Sequence, residues 1–262
     1  MNNKKKYTLL ICLLLLVSAA KVAEHLSFFY FNPDSHQSNL SQLKSDMDSA
    51  LIHNQQKFSF QPFARLDDFN KQLRSQRPSL LYIPHWYLDR FGKELGLRPL
   101  LHSLRENKTT YRKQLITNIR SNKKIHELEN GSLAMTTMGP DSRSILNSVI
   151  FSQHKIRAEK LSIVEVPKDA DAVFAVALGQ VDSALVSETS LQLLKLRNPR
   201  LTASVHVIAD TKPITLPVLC YLEGTFTEKE LDTLRKQLSK PSPQKGKSIF
   251  NILNIDTWRP QI

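Results

Sequence analysis

The chain has 262 residues, 41% of them hydrophobic and 23% charged, and its 36 Lys and Arg against 24 Asp and Glu give a net charge of +12. That size and apolar content suffice for a substantial core and for two lobes, and seven glycines with 13 prolines exclude a fibrous or low-complexity composition. Basic residues are scattered among acidic ones without a dense stripe, which argues against nucleic acid as a partner and leaves a positive excess that attracts smaller anions at long range.

The chain opens with Lys4-Lys5-Lys6, an apolar run from Tyr7 to Val17, and Ser18-Ala19-Ala20. A basic start, a short apolar stretch and small residues are the parts of a secretory signal. The run is shorter than the roughly 20 residues that span a bilayer. Residues 1–23 are therefore expected to be a signal peptide, with an uncleaved signal anchor as the alternative, and the mature chain is expected to be exported or anchored on the far side of the membrane. Cys12 sits inside the apolar run, which disfavours a lipoprotein. Cys220 is then the single mature thiol, read as a small buried hydrophobe in the apolar stretch Leu216 to Leu222.

Beyond the leader, apolar strands alternate with helical patterns, which predicts an α/β fold with a mostly parallel sheet. Leu26 to Phe31 reads as a strand, and Ser38 to Leu51 as a helix with Leu40, Leu43, Met47 and Leu51 on one face. Phe58 to Gln61 is a short strand, and a helix begins at Leu66. Ser79 to Ile83 is a buried strand, followed after Pro84 by a helix that runs to Gly92 or Gly96. Tyr111 to Ile119 is extended and Ser132 to Met135 is a strand. A helix from Ser142 to Gln153 and a strand from Leu161 to Val166 come next. Asp169 and Asp171 cap a helix that stops at Gly179. Asp182 orders the turn before Ser183, and Ser187 opens another helix. Ala203 to Ala209 and Ile214 to Leu222 are extended. Thr227 to Glu230 is a capping box, and Phe250, Ile252, Leu253 and Trp258 dock the tail onto the body. Two extended segments bracket a central block, which predicts two lobes joined by crossing strands: residues 24–110 with 213–262, and residues 111–212.

Two strand-to-helix turns carry the chemistry. Gly139-Pro140-Asp141-Ser142-Arg143-Ser144 follows one apolar strand, and Asn32-Pro33-Asp34-Ser35-His36-Gln37-Ser38 follows another. Small polar residues at a helix start leave N–H groups pointing outward, where they and the helix dipole favour an anion. Ordinary N-capping is the plainer explanation of either turn alone. His85, Trp86 and Tyr87 stand at a strand end, where open α/β sheets bind ligands; Trp86 is the one assigned to packing.

Three stretches carry a family resemblance. Ser79 to Leu88 is similar to a strand ending in a Pro-x-x-Tyr turn, Gly139 to Ser144 to an Asp-Pro-x-Ser-Thr-Ser helix start, and Ala172 to Ala184 to a passage of helix, glycine and Val-Asp-Ala. In this order they resemble the phosphate/phosphonate-binding periplasmic proteins of ABC transporters, which have a type II binding-protein fold. The resemblance implies two lobes closing on a small oxyanion, with an ABC permease or a membrane signalling protein as partner and a monomeric chain. Carried over, it assigns Ser142, Ser144 and Tyr87 to the anion, with Asp34 and Ser35 at the first turn in a loop of similar polarity; His85 is a candidate from its place at the strand end alone. Arg143 replaces the family's threonine and either grips the anion bidentately or faces solvent. Ser187 stands where phosphonate binders often place an aspartate. No metal or cofactor is implied. The chain lacks Gly-x-Ser-x-Gly, His-Glu-x-x-His and paired cysteines, so no enzyme is expected. A membrane-tethered sensor on the same fold, its ligand altered or lost, is the alternative.

Overall fold

Phe28, Phe29, Tyr30 and Phe31 are all buried, because their strand lies inside a sheet covered on both faces. The computed structural model describes residues 26–37, 39–53, 58–121, 123–240 and 248–260. The leader reading, Cys12, Ser38 and the polar stretch 241–247 lie outside the described residues. Among those described, no helix is long and apolar enough to cross a membrane.

The chain first builds β1 (Leu26–Phe31), α1 (Leu40–His53), β2 (Phe58–Phe63), α2 (Leu66–Gln76), β3 (Leu80–Ile83), α3 (His85–Leu95) and β4 (Leu97–Leu104). Then come β5 (Thr110–Tyr111), β6 (Lys113–Asn118), β7 (Ser132–Met135), α4 (Ser142–Val149), β8 (Ser162–Glu165), α5 (Asp169–Ala177) and β9 (Ser183–Ser187). The last third holds α6 (Glu188–Arg197), α7 (Pro199–Thr202), β10 (Val205–Asp210), β11 (Ile214–Thr215), β12 (Val218–Leu222), α8 (Glu228–Leu238), α9 (Ile249–Leu253) and β13 (Thr257–Pro260).

These strands form two sheets, each the centre of one lobe. The first has the order β13-β4-β12-β3-β1-β2 and the second β10-β6-β9-β7-β8. Between them β5 and β11 pair antiparallel as a two-stranded link. In each sheet the strands that lead into helices run parallel (β1 with β2 and β3, β7 with β8 and β9), and the returning strands run antiparallel. The chain therefore leaves the first sheet after β4 and re-enters it at β12.

Side-chain alternation in β1 divides the first core in two. Phe28 and Tyr30 face α1 and the C-terminal helices, and Phe29 and Phe31 face α2 and α3. Leu43, Met47 and Leu51 of α1 are fully covered, each burial contributing about 1.5–3 kcal/mol. Thr227 and Glu230 form the expected reciprocal cap, which starts α8 with Leu231, Leu234 and Leu238 turned inward. Cys220 is buried in β12, where desolvation pushes its thiol well above the ordinary range.

Several details differ from the sequence reading. The sheets are mixed rather than mostly parallel, with four parallel and six antiparallel pairings among the described strands, because the strands that return from the other lobe or from the C-terminus enter antiparallel. The helix at Ser142 stops at Val149, and Phe151–His154 continues as a 3-10 turn. Asp169 is a buried first-turn residue rather than a cap, Lys168 being the N-cap.

Asp182 pins the turn before β9 to the start of β7. Its Oδ2 accepts from the N–H and hydroxyl of Ser132 at 2.8 and 2.9 Å, and its Oδ1 pairs with Lys123 at 2.5 Å. The Lys123 hydrogen bond, then those from Ser132, hold its carboxyl down at about 2. In the unfolded chain an aspartate titrates near 3.9. The stability Asp182 contributes is thus complete above about pH 4 and is lost as the pH falls towards 2. Asp182→Asn should lower stability at pH 7 and flatten the acid limb, so that urea denaturation separates the two proteins at pH 7 and brings them together as the pH falls to 2.

Candidate functional site

Lys113 is a lysine with no exposed surface at the start of β6. An ammonium taken out of water demands counter-charge and hydrogen bonds. It finds Asp34 Oδ1 at 2.7 Å and Thr136 Oγ1 at 2.7 Å, and Asp169 Oδ1 lies 3.9 Å away. Burial alone would drive Lys113 to the neutral form, but Asp34 and Asp169 outweigh it and hold the ammonium above its ordinary range.

The other groups converge from separate elements. Asp34 stands in the turn after β1, in the first lobe, with 15% of its side chain exposed. Besides the Lys113 contact, it accepts from Thr136 Oγ1, just past β7, and from the phenol of Tyr111 in the link, both at 2.5 Å. Burial would lift its carboxyl, yet the Lys113 charge and these hydrogen bonds hold it below the usual carboxylate range. Tyr111 is pushed well above the ordinary phenol range, by burial and then by the Asp34 charge. Asp169 accepts at Oδ2 from the N–H and hydroxyl of Ser187 at 2.9 and 2.7 Å, while its Oδ1 is buried without a hydrogen bond. Burial raises its carboxyl above the ordinary value.

These side chains gather where β1, β7 and β9 end, and Lys113 is opposite Ser187 in the β6–β9 register. Strand carboxyl ends are where open α/β sheets place ligands. Two cavities flank the cluster. One, of about 410 Å³, runs between His85, Trp86 and Arg90 of the first lobe and Met138, Asp141 and Ile145 of the second, and is also lined by Pro213, Ile214, Thr215 and Pro217, with both Asp34 and Tyr111 in its wall. The other lies among Ser35, His36, Arg105, Ser187, Thr189 and Ser190, and continues towards Lys168 and Arg197. His36 is lowered by burial and then by the nearby charges of Arg197, Arg105 and Lys168.

Further contacts tie the lobes together. Arg90 pairs with Asp141 at 3.1 Å, Arg105 Nη1 donates to Thr189 Oγ1 at 3.2 Å, and Trp86 lies against Gly139.

Of the residues singled out in the sequence, Asp34, Ser35, His85 and Ser187 line these cavities. His85 also pairs with Asp89 at 3.0 Å. The remaining four do not line them. Ser142 is buried and its hydroxyl donates to the Gly139 carbonyl. Arg143 donates to the carbonyls of Ala158 and Leu161 within its own lobe, and Ser144 is exposed on α4. Tyr87 is 1% exposed, packs on Phe69 and Phe91, and donates to Asn70 Oδ1 at 2.7 Å. Sequence reasoning passed over Lys113, Thr136 and Tyr111. The one available signal was a lysine two residues before the apolar pair Leu115-Ile116, in a strand otherwise suited to burial. Among the described residues no group of three or more His, Cys, Asp or Glu side chains is placed to hold a metal ion.

The same arrangement of two sheets occurs in solved binding proteins. A binding-protein component of an ABC phosphonate transporter from Pseudomonas aeruginosa matches with a TM-score of 0.72 at 12% identity, over 90% of this chain and 81% of that one. PhnD1 from Prochlorococcus marinus, in complex with methylphosphonate, matches with a TM-score of 0.75 at 12% identity, over 90% and 92%. XAC2383 from Xanthomonas citri, bound to ATP, gives 0.68 at 14% identity, over 90% and 91%. Among curated proteins no sequence relative matches the chain. The family model described as "ABC transporter, phosphonate, periplasmic substrate-binding protein" matches residues 28–261. With most of β1, the donor cluster and the returning C-terminal strand inside that span, the chain belongs to this family of periplasmic substrate-binding proteins, which are solute receptors of ABC transporters and not enzymes.

Proposed function

We propose that this protein captures a small phosphonate- or phosphate-like oxyanion between its lobes and presents it to an ABC permease. The observation that carries the reading is the convergence of the Lys113 ammonium, the Thr136 hydroxyl and the Tyr111 phenol on one point between the lobes, already occupied by a carboxylate. A set of donors that grips a carboxylate suits a phosphonate oxygen equally, since both are anionic acceptors of charge-assisted hydrogen bonds. The adjoining cavity has apolar walls at Trp86, Met138, Ile145 and Val149, which suit the carbon substituent of an organic oxyanion. Ser35 and Ser190 offer hydroxyls on the other side, while the Ser187 hydroxyl is held by Asp169. Lobe I comprises residues 24–110 and 213–262 and lobe II residues 111–212. The chain is exported by its N-terminal signal and acts as a monomer.

Isothermal titration of the exported protein with methylphosphonate, inorganic phosphate and sulfate tests the reading. Binding heat is expected with methylphosphonate or phosphate, weakening as salt rises because a net positive receptor steers its anion electrostatically. No heat with any of the three overturns it. Ser142→Ala, run alongside, locates the site: a loss of affinity as large as that caused by Lys113→Met moves the anion to the start of α4.

A further inference from the structure

We infer that Asp34 is a built-in anion that sits where the solute's oxyanion is gripped, so that capture is an exchange of one anion for another. The inference rests on the reading above and adds a competitor inside the chain. Asp34 comes from one lobe, whereas Lys113 and Thr136 come from the other and Tyr111 from the link. Its carboxylate takes a hydrogen bond from all three, the pattern of donors that a bound oxyanion would use. An ion pair kept only for stability has no need to span two lobes, or to form part of the wall of the cavities on both sides.

The surroundings also suit release of Asp34. When its carboxylate swings out, Lys113 still has Asp169 at 3.9 Å as counter-charge, and Asp169 Oδ1 has no hydrogen bond to give up. Burial already lifts the Asp169 carboxyl, so a second negative group arriving beside it is answered by uptake of a proton there. Asp34 meanwhile gains water at the cavity it borders. While it is seated it holds the lobes together, and an incoming solute must displace it, so the apparent affinity is reduced by the fraction of molecules in the seated state.

Two measurements test this. Small-angle scattering of the wild-type protein in solute-free buffer should give a compact radius of gyration that methylphosphonate changes little; an extended particle that contracts on adding methylphosphonate overturns the inference. Asp34→Asn keeps the side-chain shape and leaves Lys113 paired with Asp169. It should enlarge the solute-free particle and bind methylphosphonate at least tenfold more tightly by titration calorimetry. Unchanged compactness in Asp34→Asn, or weaker binding, would falsify the exchange. If neither protein binds methylphosphonate, phosphate or sulfate, the proposed function fails, and the exchange with it; the two scattering results then still decide whether Asp34 holds the lobes together.

Discussion

Lys113→Met is expected to lower the thermal midpoint at pH 7 by roughly 6–20 °C and to abolish oxyanion binding. Methionine fills nearly the same volume, so the loss is electrostatic rather than a cavity effect. Without the ammonium, Asp34 keeps two hydroxyl donors but has no counter-charge, and Asp169 remains close to it. Breaking a buried pair from one side costs about 3–5 kcal/mol, and at this chain length each kcal/mol moves the midpoint by about 2–4 °C. Adding Asp34→Asn to Lys113→Met should recover more than half of the loss, since only Asp169 then remains without a counter-charge, and burial already lifts its carboxyl towards the neutral form.

The pH dependence gives a second readout. The Asp34 carboxyl is held below its unfolded value chiefly by Lys113, so the pair stabilises the protein above about pH 4 and fades as Asp34 protonates at lower pH. Wild type and Lys113→Met should therefore differ most at neutral pH and converge on acidification. A constant difference down to pH 3 would show that the ammonium acts by packing alone.

How far the sequence could be read depended on whether the signal was local. The continuous apolar run Phe28 to Phe31, the helical spacing of Leu43, Met47 and Leu51, and the Thr227–Glu230 cap are properties of a few neighbouring residues, and they appear in the structure at the expected places. Strand β4 was not read because Pro99 interrupts Leu97 to Leu104, and proline normally argues against a strand inside a sheet. Here Pro99 faces Cys220 where the β12 register shifts, and that irregularity accommodates the missing donor. β13 likewise has only four residues, and it pairs with β4 only because the chain returns from far away in sequence.

The candidate site was legible in part for the same reason. Asp34 and Ser35 follow a strong strand, so their place at a strand end could be read locally. Lys113 and Asp169 looked like an ordinary strand residue and an ordinary helix cap. Their meaning lies in contacts spanning 79 residues to Asp34 and 18 residues to Ser187. The start of α4 had the chemistry of an anion site in the sequence, but the indole of Trp86, from the other lobe, covers Gly139 beside it.

That indole makes Gly139→Ala the second large expected effect. Gly139 has φ +77, where an L side chain is strained by about 1–2 kcal/mol. A methyl group at this position would also lie 2.4 Å from a ring carbon of Trp86, and overpacking of this kind typically costs about 1–3 kcal/mol. The expected loss is about 2–5 kcal/mol by chemical denaturation. Trp86 belongs to α3 of the first lobe and Gly139 to the second, so the overlap falls between the lobes rather than inside a core. The variant should scatter as a larger particle, and the emission of half-buried Trp86 should shift to the red while buried Trp258 stays unchanged. Trp86→Ala combined with Gly139→Ala removes the ring overlap and leaves the backbone strain. The double variant should therefore lose less stability than the two single losses added together, with a coupling of at least about 1 kcal/mol. Strict additivity, together with an unchanged radius of gyration, would mean that the indole swings aside within its own lobe. In that case the contact across the cleft at Gly139 contributes nothing to holding the lobes together, and Asp34 carries that role with the Arg90–Asp141 and Arg105–Thr189 contacts.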